Sequence, residues 1–195
     1  NLAENTLIMY TLDQGFFLGD HGWYDKRFMY EESLRMPFIL RYPERVKPGT
    51  DNQDIVLSID FAPTFLELAG ISVPNEIQGR SFLPIIEGNR PPDWRDSMYY
   101  RYWMHKAHHN VYAHYGLRTK RYKLIYYYAD SLEQVGAIGK REEPEWELFD
   151  LDADPYELNN VYNELAYSDV VVELKTELYR LQSEVGDERY FLDID

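Results

Sequence analysis

The stretch TLDQGFFLGDHGWYDKR, residues 11–27, decides how the rest of the chain is interpreted. A short apolar run at residues 6–10 precedes it and predicts a buried strand. Asp13 and Gln14 follow this run closely, so the strand would deliver polar groups at its C-terminal end, where open α/β sheets place their chemistry. A carboxylate beside a carboxamide offers hard oxygen donors that suit Ca²⁺ or Mg²⁺. Lys26 then supplies a cation for an anionic substrate.

The longer series DQGFFLGDHGWYDKRFMYEESLRMPFILRYP, residues 13–43, resembles the C-terminal signature of the sulfatase family, the alkaline-phosphatase-like hydrolases of sulfate esters. That signature is roughly S-D-(N/H/Q)-G, then L-G-(E/D)-H-G, then K, then R-x-P and an apolar residue. The resemblance implies that Asp13 and Gln14 are Ca²⁺ ligands, with Mg²⁺ as the alternative ion. It also implies that Lys26, thirteen positions after Asp13, is a catalytic residue that binds the sulfate. Leu12 stands where Ser is common, and Gln14 where Asn or His is commoner, but Gln keeps the carbonyl oxygen that a ligand needs.

Two further residues of the signature are expected to support the site. His21 lies in the loop that carries Lys26, and it is interpreted as a residue that orders this loop. The family resemblance supports this interpretation, because the His credited there with protonating the leaving group comes from an earlier part of the chain. Arg35 occupies the R-x-P position, where it would brace the site or the neighbouring loop, and a surface salt bridge is the alternative.

Four of the five histidines lie within residues 105–114. A zinc site is one interpretation, although no acid or Cys completes a ligand set at recognisable spacing. A solvated loop is the second. The third follows from the family resemblance, in which an H-x-x-x-x-H-Y-G-(V/I)-R-T segment faces the active-site mouth and helps to select the sugar. It implies that His109, His114 and Arg118 bind the substrate.

The chain is predicted to have an α/β fold, the C-terminal part of an alkaline-phosphatase-like sulfatase, with a boundary near Pro91 and Pro92. Residues 1–92 would be the C-terminal part of the large metal-binding catalytic domain. This part contains a predicted second strand after Pro37 and a helix of about three turns that ends at Gly70.

Residues 93–195 are predicted to form a small C-terminal α+β subdomain. Strand-forming aromatic runs with a compact turn between the second and third predict an antiparallel sheet of about four strands. An amphipathic helix after Ser168 is expected to pack on it, because apolar residues recur there at intervals of three and four. Asp154 and Glu157 are predicted to cap another helix, which would begin at Pro155.

Composition excludes some classes of partner. The 195 residues carry a formal charge of −14, which opposes general nucleic-acid binding. There is no cysteine, so disulfides cannot brace the fold. No apolar run approaches the ~20 residues that span a bilayer, and no signal peptide is recognisable. A periplasmic or extracellular location is implied by the resemblance alone.

The sequence lacks two elements that the resemblance requires. No (C/S)-x-P-x-R context is present, which in sulfatases supplies the residue oxidised to formylglycine, and no early aspartate pair completes the Ca²⁺ site. The chain also opens at Asn1 without an initiator Met, so it is interpreted as a fragment whose missing N-terminal portion supplies both. Alone, it is expected to be inactive.

The family resemblance implies a sulfatase fragment that acts on a sulfated carbohydrate, and two alternatives stay open. A phosphoryl or phosphonate monoester hydrolase of the same superfamily would share most of the signature. A non-catalytic carbohydrate-binding module is suggested by the 16% aromatic content, since exposed aromatic rings stack on sugars. Most of these aromatics lie in strand patterns, which favours a core role.

Overall fold

The computed structural model describes residues 2–187, which divide into two compact units. The first unit comprises the chain up to Asp13 together with Met36–Asp96. The second comprises Gln14–Arg35, which contains the single helical turn α1 (Glu31–Leu34), and the chain from Ser97 onward. The predicted α/β class is confirmed, with helices and antiparallel sheets. Among residues 2–187, no helix is both long and apolar enough to cross a membrane.

In the first unit, β1 (Ile8–Thr11) and β2 (Phe38–Arg41) form a two-stranded antiparallel sheet. Both strands were predicted, but the prediction that β1 is buried is wrong for the described chain. Ile8 is 53% exposed and Tyr10 is 57% exposed. Met9 and Leu40 of this sheet pack against a small core, but no described residue buries Ile8 or Tyr10.

The rest of this unit is helical and irregular. A short 3₁₀ turn, Ser58–Asp60, leads into α2 (Phe61–Leu68), and α3 (Leu83–Ile86) follows. The helix predicted to end at Gly70 is thus confirmed, with Gly70 in the left-handed region at φ 68°. A small core forms around the buried side chains of α3 and its surroundings, namely Phe82, Ile85 and Trp94.

The second unit is built on four antiparallel strands that pair in chain order. The prediction of a four-stranded sheet is confirmed, and the strands are β3 (Ser97–Tyr102), β4 (His114–Thr119), β5 (Tyr122–Tyr127) and β6 (Glu145–Asp150). The turn between β4 and β5 closes through Thr119, whose Oγ1 accepts the Tyr122 N–H at 2.8 Å.

One face of this sheet is covered by α4 (Ser168–Glu184). The predicted amphipathic helix is confirmed, because Leu174, Leu178 and Leu181 are buried against the sheet. Their partners are the side chains that alternate onto this face of the central strands, namely Tyr115, Leu117, Leu124, Tyr126 and Leu148. Apolar side chains at every second residue of the strands therefore pack against those that recur every three to four residues along the helix, and together they form one core.

The opposite face is covered by the segment of residues 14–35. Met29 is fully buried against Ile125, Tyr127 and Phe149. Gly116 makes room for it, because a Cβ there would lie 2.8 Å from the Met29 sulfur and 2.3 Å from a backbone oxygen of β5. This packing explains why residues 14–35 belong to the second unit. The predicted domain boundary between residues 92 and 93 remains a prediction for the whole protein. It placed residues 14–35 with the large domain and did not foresee that they pack on this sheet.

The predicted helix at Asp154 is wrong. The residues after β6 form successive turns instead, and the Asp154 carboxylate accepts the backbone N–H groups of Leu158 and Asn159 at 2.8 and 2.7 Å. Glu157 adopts a left-handed conformation at φ 52°, which a right-handed helix cannot contain. The residue is also buried, with a relative exposure of 3%. Glu157 therefore pairs with the buried Lys123 instead of capping a helix.

Candidate active site

The side-chain amide of Gln14 is held by three acceptors. Its Nε2 donates to the carbonyl oxygen of Ser33 at 2.9 Å, to Ser33 Oγ at 2.8 Å and to the carbonyl oxygen of Lys26 at 3.3 Å. Carbonyl oxygens only accept hydrogen bonds, so the NH₂ group must face them and the Oε1 atom points the other way. Gln14 therefore presents a fixed carbonyl oxygen, which fits the predicted role of a Ca²⁺ or Mg²⁺ ligand.

Ser33 links the side chain of Gln14 to the backbone of Lys26. Its buried hydroxyl donates to the Lys26 carbonyl oxygen at 2.6 Å while it accepts from the Gln14 amide. Ser33 was not singled out from the sequence. Its position in the EES of the signature is compatible with many roles, and only the fold shows that it links both predicted site residues.

Gly15 brings two backbone segments into contact. Its N–H donates to the Ser33 carbonyl oxygen at 2.9 Å, and a Cβ on Gly15 would lie 2.1 Å from the Glu32 carbonyl oxygen. No side chain fits in that space, so the glycine of the D-Q-G motif is required for the close approach.

The loop between Gly15 and Lys26 is closed by its own backbone. The Phe17 N–H donates to the Asp25 carbonyl oxygen at 2.7 Å, and the Phe17 ring is fully buried. Gly19 turns the chain at φ 121° and donates to the Trp23 carbonyl oxygen at 2.9 Å. Asp25 also forms an ion pair with Arg27. Lys26 thus follows directly after an anchored loop, and its side chain is half-buried.

His21 lies at the tip of this loop in a left-handed conformation, φ 53°. Its ring lies 4.8 Å from the Tyr30 ring, and its Nε2 lies 3.6 Å from a Glu32 carboxylate oxygen. These contacts connect the loop to the segment that holds Gln14. They fit the predicted loop-ordering role, which remains a prediction.

Asp13 is the last residue of its segment in the first unit, and its side chain is exposed. Gln14 begins the second unit. Among the described residues, no three His, Asp or Glu side chains are grouped so that they could hold a metal ion. Asp13 and Gln14 carry side-chain oxygens of the kind that bind Ca²⁺ or Mg²⁺, and their role as ligands remains a prediction.

Arg35 follows α1 (Glu31–Leu34) and is exposed. It forms no ion pair with any residue in the described range 2–187. The surface salt bridge considered for Arg35 is thus not observed there, and its bracing role remains a prediction.

The three residues expected to bind the sugar lie in different environments. His114 is fully buried at the start of β4, stacked on Tyr102 and Tyr100 with ring centroids 5.4 and 5.8 Å away. Its Nδ1 lies 2.7 Å from the Tyr112 carbonyl oxygen. Burial lowers the pKa of His114 to about 4, so the ring is neutral at pH 7.

His109, by contrast, is exposed, and its ring lies 6.0 Å from the Trp23 ring on the loop before Lys26. Arg118 is engaged by the Glu31 carboxylate through two hydrogen bonds of 3.1 and 3.0 Å. A sugar contact remains a prediction for His109, His114 and Arg118, and His109 is the exposed one of the three.

Replacing Ser33 with alanine is expected to lower the free energy of unfolding of the chain by about 1–2 kcal/mol, because two interior hydrogen bonds are lost. Urea denaturation followed by circular dichroism measures the change. Ser58→Ala is the matched control, since Ser58 is exposed and should change stability by less than ~0.5 kcal/mol. Equal stability of the Ser33 variant and the unmodified chain would contradict the described role of the hydroxyl.

Comparison with known proteins identifies the group to which this arrangement belongs. The family model described as "N-sulphoglucosamine sulphohydrolase, C-terminal" matches residues 19–184. The chain belongs to the sulfatase family. The resemblance found in residues 13–43 is therefore confirmed.

Individual sulfatases and related structures extend this result. The chain is 47% identical to an N-acetylglucosamine-6-O-sulfatase from Bacteroides thetaiotaomicron over 94% of its own length and 31% of that protein. A structure solved in complex with its substrate, D-glucosamine-2-N,6-O-disulfate, is 46% identical, with a TM-score of 0.85 over 94% of this chain and 35% of the other. A phosphonate monoester hydrolase from Silicibacter pomeroyi is 26% identical, with a TM-score of 0.74 over 97% of this chain and 36% of the other. This sulfatase chain thus spans about a third of the length of each protein.

Proposed function

We propose that the chain is the C-terminal part of a sulfuric ester hydrolase that removes sulfate from a carbohydrate by metal-assisted hydrolysis. The observation that carries this proposal is the anchored arrangement of Gln14, Ser33 and Lys26, in a chain that shares 47% identity with an N-acetylglucosamine-6-O-sulfatase. Cleavage of a sulfate ester needs charge stabilisation at the sulfate oxygens, and this segment offers an oxygen ligand and a lysine for that task.

The chain's own residues would act on the bound sulfate in two ways. Asp13 and Gln14 would hold Ca²⁺, or Mg²⁺ in its place, and the ion when bound polarises sulfate oxygens. Lys26 would bind the sulfate through its ammonium group and stabilise the negative charge that develops as the S–O bond breaks. The formylglycine nucleophile would come from the N-terminal portion of the protein, so the present chain alone should be inactive.

The substrate class proposed is a sulfated glucosamine. The relative with 47% identity is named an N-acetylglucosamine-6-O-sulfatase. The structure with 46% identity contains its substrate, D-glucosamine-2-N,6-O-disulfate. The assay is release of inorganic sulfate from N-acetylglucosamine 6-sulfate by the full-length protein, beside parallel assays with aryl phosphate and phenylphosphonate esters. Sulfate release faster than phosphoryl or phosphonate cleavage supports the proposal. Phosphonate cleavage alone would favour the hydrolase class to which the Silicibacter protein belongs.

A proposed partner of this chain is the N-terminal portion of the same protein. The two-stranded sheet of the first unit exposes several apolar side chains, with Ile39 at 65% and Tyr10 at 57%. Exposed apolar surface of this kind marks an interface. A location in the periplasm or outside the cell is proposed from the family alone, and cell fractionation with an antibody to the chain tests it.

Replacing Ile39 with glutamate tests this interface. In the isolated chain the free energy of unfolding should change by less than ~0.5 kcal/mol, because the side chain is exposed. In the full-length protein the same substitution should lower the melting temperature, since a charge would be buried. Val135→Glu, at a position that is 96% exposed in the second unit, is the control and should alter neither. Equal melting temperatures for the unmodified and Ile39 proteins would argue against coverage of this surface.

A further inference from the structure

We propose that Lys123 and Glu157 are positioning residues for the active centre, because through Glu31 they fix the segment that holds Gln14 and Lys26. The catalytic part of this inference rests on the proposed sulfatase function. The structural part concerns only contacts within the second unit.

Glu31 is held by partners from three different elements. Lys123, on β5 and fully buried, places its Nζ 3.0 Å from Glu31 Oε1 and 2.6 Å from Glu157 Oε1. Glu157, in the turns after β6, accepts the backbone N–H of Glu31 at 2.7 Å. Arg118, on β4, binds the Glu31 carboxylate at 3.1 and 3.0 Å. Both the backbone and the side chain of Glu31 are therefore fixed.

Two basic side chains, Lys123 and Arg118, face the two acidic ones. Lys123 and Glu157 are buried, and burial raises the pKa of Glu157. Burial by itself would raise the pKa of Glu31, but the nearby Lys123 and Arg118 outweigh it and lower the pKa to about 2. Glu31 is thus ionised at neutral pH. A buried ion pair adds little net stability relative to apolar residues of similar volume. We therefore assign Lys123 and Glu157 the role of fixing the orientation of residues 14–35.

The fixed residue is directly connected to the site. Glu31 begins α1, a single helical turn that also contains Ser33, and the Glu31 carbonyl oxygen accepts the Arg35 N–H at 2.8 Å. Ser33 in turn binds the Gln14 amide and the Lys26 carbonyl oxygen. A shift of Glu31 would therefore move Ser33, and with it the metal-ligand oxygen of Gln14 and the backbone of Lys26.

The test uses the full-length protein with both Lys123 and Glu157 replaced by methionine. Removing the two charges together leaves neither one unpaired, and Glu31 keeps Arg118, so the variant should fold. Hydrogen exchange of the Gly15 amide should accelerate by about tenfold or more, while exchange in α4 stays unchanged. The kcat for the sulfate ester and the affinity for Ca²⁺, measured by calorimetry, should each fall roughly 10–100-fold, with a smaller change in KM.

The control replaces Arg45 and Glu87 with methionine. They form a surface ion pair of the first unit, with side chains 38% and 24% exposed, and their replacement should change none of these quantities. Unchanged exchange at Gly15 would overturn the inference, as would acceleration of equal size in α4, which indicates general loss of stability. Absence of sulfate release by the unmodified protein would refute the proposed function, and the exchange data would still decide whether Lys123 and Glu157 hold the segment.

Discussion

Replacing Lys26 with alanine in the full-length protein is expected to lower kcat/KM for a sulfate ester by about 10²–10³-fold, the size typical of one lost electrostatic contact in an active site. The backbone of Lys26 is anchored by Ser33, and the preceding loop is closed by hydrogen bonds at Phe17 and Gly19. The substitution should therefore remove the ammonium group without moving the segment. Initial rates of sulfate release from N-acetylglucosamine 6-sulfate measure the effect.

Two observations make this experiment decisive. Lys47→Ala, at an exposed loop position, serves as the control and should leave kcat/KM unchanged. The Lys26 variant should keep the circular dichroism spectrum of the unmodified protein, since its carbonyl contacts remain. A normal rate in a folded Lys26 variant would remove this residue from the proposed mechanism.

Acidification from pH 7 to pH 4.5 is expected to lower the free energy of unfolding of the chain by about 2.5 kcal/mol through His114 alone. The pKa of this buried ring is about 4 in the folded chain, against 6.5 for an exposed histidine. Well above pH 6.5 both states are neutral at this ring, and His114 then has no effect on the pH dependence. As the pH falls below that value, the unfolded state binds a proton that the folded state excludes, so unfolding becomes more favourable.

Urea denaturation at pH 7, 5.5 and 4.5 measures this loss, and a His114→Phe variant isolates it. Phenylalanine keeps an aromatic ring beside Tyr100 and Tyr102 but cannot titrate. The variant loses the hydrogen bond to the Tyr112 carbonyl oxygen, so it should be less stable than the unmodified chain at pH 7. Other acids contribute equally to both proteins, among them Glu31. The variant should therefore lose less stability than the unmodified chain between pH 7 and 4.5. Parallel pH profiles would show that His114 is exposed to solvent.

The sequence was sufficient for elements whose pattern is local. Runs of strand-forming aromatic residues in β3 to β6 predict strands. The recurrence of Leu174, Leu178 and Leu181 at intervals of three and four predicts α4, because it puts apolar side chains on one face of a helix. The close spacing of Asp13, Gln14 and Lys26 was also visible, and the family resemblance it carried is confirmed.

What the sequence did not reveal depends on contacts between distant residues. Glu157 was interpreted as a helix cap because Asp154 and Pro155 precede it, but its partners are Lys123 and Glu31, far away along the chain. His114 lies in a polar-looking histidine cluster and yet faces the aromatic interior. β1 looked buried because the run at residues 6–10 is apolar, whereas burial depends on a neighbouring layer that the described residues do not supply.

The second unit is discontinuous in the chain, since residues 14–35 cover one face of its sheet and α4 covers the other. A piece cut at the predicted boundary near Pro92 would keep all four strands and α4 but lose the cover over Ile125 and Phe149. Such a piece should self-associate through the uncovered face. A minimal soluble version of this unit must therefore carry residues 14–35 covalently joined to the chain that begins at Ser97.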